Sequence, residues 1–182
     1  RDVAPSRGLG DVYKRQLHGF GCKIYAYDKY ENEAVKQFAE YADLSVIYEK
    51  CDLITLHMPL SEDNFHIIDA SAMKNMKDGV VIINTARGSL IDTKALIEAL
   101  ESGKVGAAGL DVIEDELGMY YYNRKSDILS KRDLYVLRGF PNVIVTPHMA
   151  FYTDQAVSDM VKHSIESCIL REAGKKDPWE VV

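Results

Sequence analysis

Arg87 stands in the run INTARGSLID, directly after the apolar stretch Val80–Asn84. A guanidinium is a rigid fork that matches a carboxylate with two parallel hydrogen bonds, so an Arg just past a buried strand reads as an anchor for an acid substrate. His148 has the same kind of place, in VIVTPHMAFYT after the apolar run Val143–Thr146. An imidazole there can give a proton to a forming alkoxide and take it back near neutral pH. Glu114, Asp115 and Glu116 follow the run Val105–Asp111. One carboxylate of the three would suffice to hold the tautomer of His148 and favour its charged form, and spacing leaves the choice open. Asp28 closes the run Lys23–Tyr27. A carboxylate at a strand end can accept both hydroxyls of an adenosine ribose and repel a 2′-phosphate.

Each of these residues also has a plainer reading. Arg87 could be a surface residue paired with an acid, His148 a structural hydrogen-bonder, Asp28 a cap, and the acidic trio a solvated face. His18, His66 and His163 show no convergent partner in the sequence, and His57 is divided between a supporting role and plain core. No second histidine lies at ligand spacing from the acids and HExxH is absent, so no metal is expected.

What makes the chemical reading coherent is the set of elements that would carry these residues. Short apolar runs at Lys23–Tyr27, Leu53–His57, Val80–Asn84, Val105–Leu110 and Val143–Thr146 read as strands. VVII and VIVT are apolar on consecutive positions, which suits parallel strands covered on both faces. Helical stretches fall between them. Asp92 is placed to cap a helix with a stripe at Leu96, Ala99 and Leu100, and Gly103 to end it. Ser71–Lys77 is a shorter helix. Thr153 starts a long one in which Val157, Met160, Val161, Ile165, Cys168 and Ile169 recur at three and four residues. Residues 118–139, with Tyr120, Tyr121 and Tyr122 and a mixed-charge run through Arg132, read as an excursion outside the sheet. Strands alternating with helices define an α/β, doubly wound parallel sheet of Rossmann type, whose ligands bind at the C-terminal strand edge.

Composition narrows the function classes. Apolar residues make up 47% of the 182, enough for a core. Lys and Arg total 22 against 28 Asp and Glu, a formal charge of −6 without a basic stripe, so no nucleic-acid partner is expected. No apolar run approaches the ~18 residues of a membrane span, and no secretory signal is readable, so a cytoplasmic location is expected. Cys22, Cys51 and Cys168 are odd in number and widely spaced, which favours free, partly buried thiols.

Residues 1–16 remain unassigned. Gly8-Leu9-Gly10 offers two glycines of a phosphate-binding loop, but Tyr13 stands where the third belongs and no strand precedes them. Asp11–Gln16, DVYKRQ, resembles translated sequencing-adaptor sequence, and an artefactual leader is one reading of this segment. The dinucleotide-binding domain is therefore expected to be incomplete at its N-terminus.

ITLHMPL (54–60), VIINTARGSLID (81–92), AGLDVIEDE (108–116) and NVIVTPHMAFYTDQAV (142–157) occur in order. With them the chain, from about Leu17 to Val182, resembles the D-isomer-specific 2-hydroxyacid dehydrogenases, closest to the D-lactate and D-2-hydroxyisocaproate or phenyllactate group. The resemblance implies NAD as cofactor, a small 2-oxoacid or 2-hydroxyacid as substrate and a homodimeric parent. It implies a catalytic set of Arg87, Glu116 and His148. It also implies cofactor contacts from Asp28, Met58, Pro59, Thr85, Ala86, Arg87, Asp111 and His148, and a substrate pocket formed by Arg87, Phe151 and Tyr152. Residues 17–152 correspond to the NAD-binding domain, and 153–182 to a C-terminal helix that packs on a substrate domain this chain lacks. The alternatives are a 3-phosphoglycerate or glyoxylate/hydroxypyruvate enzyme of the same family, and a non-catalytic, corepressor-like NAD-binding relative.

Overall fold

A computed structural model describes residues 16–120 and 131–179. The chain divides into two compact units, Arg1–Pro147 and His148–Val182. The leader through Arg15, with its glycine pair and Tyr13, and two of the three consecutive tyrosines, Tyr121 and Tyr122, lie outside the described residues.

Among the described residues, six strands run through the first unit: β1 Tyr25–Ala26, β2 Glu40–Tyr41, β3 Leu53–Leu56, β4 Val80–Asn84, β5 Val105–Leu110 and β6 Val143–Val145. β1 and β2 form a parallel pair, and β3-β4-β5-β6 form a four-stranded parallel sheet in sequence order. Parallel neighbours need a crossover, which the helices supply. α1 Glu33–Lys36 joins β1 to β2 and α2 Leu44–Lys50 joins β2 to β3. α3 Ala70–Asn75, α4 Thr93–Glu101 and α5 Arg132–Gly139 make the three crossovers of the larger sheet.

The core explains why these segments settle as they do. Along β4, Val80, Ile82 and Asn84 are fully buried, while Val81 and Ile83 are only partly covered. The apolar run VVII thus buries alternate residues most deeply, rather than both faces equally as its composition suggested. Ile54, Leu56, Val105, Ala108 and Leu110 join that cluster with Met73, Leu96, Leu100, Leu134 and Leu137 from α3, α4 and α5. Each buried Val, Leu, Ile or Met side chain among them contributes about 1.5–3 kcal/mol.

Asp92 caps α4 as expected, accepting from the Lys94 and Ala95 N–H groups. Gly103, at φ 77°, follows its end in the left-handed region that favours glycine. The expected helix Ser71–Lys77 starts and stops earlier, because Asp69 accepts from Ala72 N–H and Met76 turns extended to bury its side chain. Residues 118–139 are not wholly an excursion: Arg132–Gly139 is a helix that buries Leu134 and Leu137. The charges around those two leucines hid a stripe only two residues long. The same limit hid β2, α1 and α2, each seven residues or shorter.

The second unit is the helix α6, Asp154–Glu172, with flanking turns. Thr153 caps it by accepting from Ala156 N–H, yet none of its residues is buried. His163 stacks on Trp179 at 4.5 Å between ring centres. The three cysteines are free. Cys22 and Cys168 are exposed rather than partly buried, while Cys51 is half-buried and its thiol pKa is pushed up by that burial. Among the described residues no helix is long and apolar enough to cross a membrane, and no trio of ligating side chains gathers.

Candidate active site

The C-terminal ends of β4 and β5 hold a connected set of polar contacts. β4 ends on Asn84, a fully buried amide within an apolar core. A buried amide is costly unless its groups are bonded, and this one is bonded to the loop that follows. Its Oδ1 accepts from Ala86 N–H at 3.0 Å, and its Nδ2 donates to the Arg87 carbonyl at 2.9 Å. Asn84 therefore folds Thr85-Ala86-Arg87 into a fixed bend that leaves the Arg87 side chain exposed, with Nη1 donating to the Ala86 carbonyl at 2.6 Å. Sequence reasoning missed this residue. The available signal was a single polar residue closing the apolar run VVIIN.

Gly88 joins this loop to the next strand's loop. A Cβ built on it would lie 2.1 Å from the Ile113 carbonyl carbon and oxygen, so only glycine lets the two backbones meet. The acidic trio hangs on that second loop, and the structure separates its members. Glu114 is engaged by His66, Nε2 to Oε1 at 2.6 Å, and by Thr93 N–H at 2.9 Å. Asp115 has φ 52°, and its carbonyl accepts from Lys131. Glu116 turns back to accept from Ile113 N–H at 3.2 Å. His66 therefore does have a convergent partner, contrary to the sequence reading. The two lie 48 residues apart in the chain, a separation no local pattern bridges.

Asp111, nearly buried, accepts from the Thr146 hydroxyl at 2.5 Å and so ties the end of β5 to the end of β6. His57 pairs with the Thr55 hydroxyl at 2.8 Å, which favours its supporting reading. Met58 packs against the core, and the Pro59 carbonyl accepts from Asn64. Asp28 is exposed just past β1 and accepts from Tyr30 N–H at 3.1 Å. Its neighbour Lys29 lies 3.8 Å from the Asp63 carboxylate, an exposed pair linking the loops after β1 and β3.

These residues fit a dinucleotide. The Thr85 hydroxyl oxygen is buried and has no hydrogen-bond partner among the described residues, at the strand edge where a polar ring substituent would bind. The exposed Asp28 carboxylate suits a ribose diol.

His148, Phe151 and Tyr152 belong to the second unit. His148 has φ 50°, an uncommon conformation for a residue with a side chain. Its ring meets Phe151 edge-on at 6.5 Å, and Phe151 meets Tyr152 edge-on at 6.0 Å. The three rings form a continuous aromatic cluster at the start of α6. The structure thus brings Arg87, Asp111 and Glu116 to adjoining strand ends in one unit, and groups His148 with the aromatic pair in the other.

Comparison with known proteins adds independent findings. The family described as D-isomer specific 2-hydroxyacid dehydrogenase, NAD binding domain, matches residues 8–150. An aromatic 2-oxoacid reductase of Clostridium sporogenes is 50% identical over 159 residues, covering 85% of this chain and 48% of that protein. A D-lactate dehydrogenase of Escherichia coli is 35% identical over 175 residues, covering 96% of this chain and 53% of the other. Among solved structures, a D-lactate dehydrogenase from Treponema pallidum has a TM-score of 0.88 at 33% identity, covering 96% of this chain and 54% of that one. A D-lactate dehydrogenase from Lactobacillus jensenii, solved with NAD+, has a TM-score of 0.84 at 35% identity, with the same coverage of 96% and 54%. The chain spans about half the length of the curated relatives it matches.

Proposed function

We propose, from the premise that this chain belongs to the D-isomer-specific 2-hydroxyacid dehydrogenases through their NAD-binding domain, that the intact protein reduces 2-oxoacids to D-2-hydroxyacids reversibly. The observation that carries this reading is the seam at Gly88, which sets the Arg87 loop directly against the loop bearing Glu116.

When bound, the nicotinamide supplies the hydride that reaches C2 of the oxoacid. Arg87 receives the substrate carboxylate with its two-pronged donor set. His148 gives its proton to the carbonyl oxygen and recovers it in the reverse direction. Glu116 favours the charged imidazole and fixes its tautomer, while Arg87 and His148 together stabilise the negative charge that develops on the oxygen. Thr85, Ala86 and Asp111 serve the nicotinamide side. Met58 and Pro59 flank the adenosine, and Asp28 selects NAD over its 2′-phosphorylated form, with Lys29 held toward Asp63. The His148-Phe151-Tyr152 cluster supports substrates with apolar or aromatic side chains, in keeping with the name of the Clostridium relative, and adds no cation for a phosphorylated one. The exposed stripe of α6 fits a helix that packs on a substrate domain in the longer protein. The intact enzyme is read as a cytoplasmic homodimer on the family resemblance, and light scattering of the purified protein tests the dimer.

Replacing His148 with Gln in the intact protein should lower turnover of pyruvate and phenylpyruvate by roughly 10² to 10⁴, the scale of a positioned acid–base group. NADH affinity should stay nearly unchanged. A variant keeping half the parental turnover would remove His148 from the mechanism and the reading with it.

A further inference from the structure

Glu114 is a carboxylate held by two distant segments, and the proposed chemistry does not use it. Both of its oxygens are engaged by groups from other segments. Oε1 lies 2.6 Å from His66 Nε2, and Oε2 accepts from Thr93 N–H at 2.9 Å. Since a carboxylate oxygen accepts, the pairing assigns the ring proton to Nε2.

His66 is itself held on the 3-10 turn that leaves Arg87, Gly88–Leu90. Its N–H donates to the Ser89 carbonyl at 2.9 Å, Ile68 N–H donates to Leu90, and Asp92 N–H donates back to Ile68. Thr93 opens α4, immediately after that same stretch. Glu114 therefore closes a loop of contacts: the acidic turn, segment 66–68 and the run from Arg87 to Thr93 are joined through one side chain. Gly88 presses the two backbones together beside this clamp, against Ile113 and the backbone N of Glu114 itself.

Two residues in this assembly, His66 and Asp115, carry side chains at φ 52°. Non-glycine residues hold such conformations where their surroundings over-determine them. The left-handed turn at Asp115 parts the neighbouring carboxylates, sending Glu114 outward to His66 and Glu116 back onto Ile113 N–H.

We propose that Glu114, clamped by His66 and Thr93, is a positioning residue that sets Glu116 and Arg87 relative to each other for the 2-oxoacid reaction. This rests on the function proposed above. Without the clamp, the turn at Asp115 is released from its anchor, and the Glu116 loop shifts against the Arg87 loop. Misplacement of about 1 Å costs on the order of 100-fold in a reaction that depends on orientation.

The test uses the full-length protein, with turnover expressed per NADH-binding site so that loss of folded enzyme is divided out. Glu114→Ala should lower turnover per site by roughly 10- to 100-fold and raise KM for the 2-oxoacid, with KM for NADH unchanged. Glu114→Gln should recover most of the loss. Its amide oxygen can take the Thr93 N–H, and its amide N–H can donate to His66 in the other ring tautomer. If Glu114→Ala does not fold, His66→Ala decides, since it removes one arm and leaves the Thr93 bond; a several-fold drop in turnover per site is expected. Parental turnover per site in Glu114→Ala, or in His66→Ala where only that variant folds, would overturn the proposal. So would a Gln variant as impaired as the Ala variant. His148→Gln assayed in parallel separates the two ideas. If it loses activity while the clamp variants keep theirs, only the positioning role is lost, whereas an active His148→Gln removes the reaction assigned above.

Discussion

Asp92 opens α4 by accepting from Lys94 and Ala95 N–H groups, and Thr153 opens α6 by accepting from Ala156 N–H. Both helices then repeat apolar side chains at three and four residues. α4 buries Ala95, Leu96, Ala99 and Leu100 against the sheet, whereas Met160, Val161, Ile165 and Ile169 of α6 are between 48% and 59% exposed. A cap and a period specify that a segment is helical and which stripe is apolar. They do not supply the surface that covers the stripe. In α4 that surface is β5 with the neighbouring helices α3 and α5, which the same unit provides. For α6 no such surface lies among the described residues of the second unit.

The contrast is open to direct attack. The largest effect expected is Leu96→Ala in the 182-residue chain, which should cost about 3 kcal/mol because it empties a fully packed site. Ile165→Ala should cost less than about 0.5 kcal/mol, the range of exposed substitutions. Urea denaturation of both variants checks this, and equal losses would mean that α6 is covered after all.

Removing the caps tests the same difference between the two helices on a smaller scale. Asp92→Ala and Thr153→Ala should each cost about 1 kcal/mol locally. The first should appear in global unfolding. The second should appear as faster hydrogen exchange confined to the first turn of α6, because a helix without buried residues opens on its own. A global loss for Thr153→Ala would join the two units into one cooperative structure.

The smallest effect belongs to the surface of the well-packed unit. The Lys104 ammonium bonds Asp78 at 2.7 Å and holds its carboxyl below the ordinary value of 3.8, first through that bond and then through charge. A lowered folded-state pKa means a contribution present above 3.8 and lost as pH falls through the folded value. Asp78→Asn should therefore lower the melting temperature slightly at neutral pH and not at all well into acid. A difference that grows on acidification would reverse the sign and reject the pairing.

Much of the fold was legible in local residues. β4 and β5 have the expected limits because their apolar runs sit between clear turn signals, such as Asp78-Gly79 and the Gly103 that follows α4. α5 was illegible because two leucines among charges make no period. β2 is two residues long, and its pairing with β1 is wholly non-local. The candidate site divides in the same way. Arg87 and the acidic trio were found because they stand just past strands, where ligands of such sheets bind. Asn84 was missed because a buried amide in an apolar run looks like the end of a strand until its partners are seen.

Residue type and close spacing were thus enough to read the caps of α4 and α6, the larger sheet's strands and the candidate side chains whose chemistry suits anchoring an acid or moving a proton. The sequence also carried the linked motifs from ITLHMPL to NVIVTPHMAFYTDQAV that place the chain in its family. The different partners of Glu114, Asp115 and Glu116 emerge only when distant segments fold together. Spacing leaves Glu114 and Glu116 equivalent, and they part because a histidine 48 residues away and the Thr93 N–H engage Glu114, while Glu116 turns back onto Ile113 N–H. Burial, close backbone approach and long-range hydrogen bonds arise only when distant segments meet, and no local window of residues contains them.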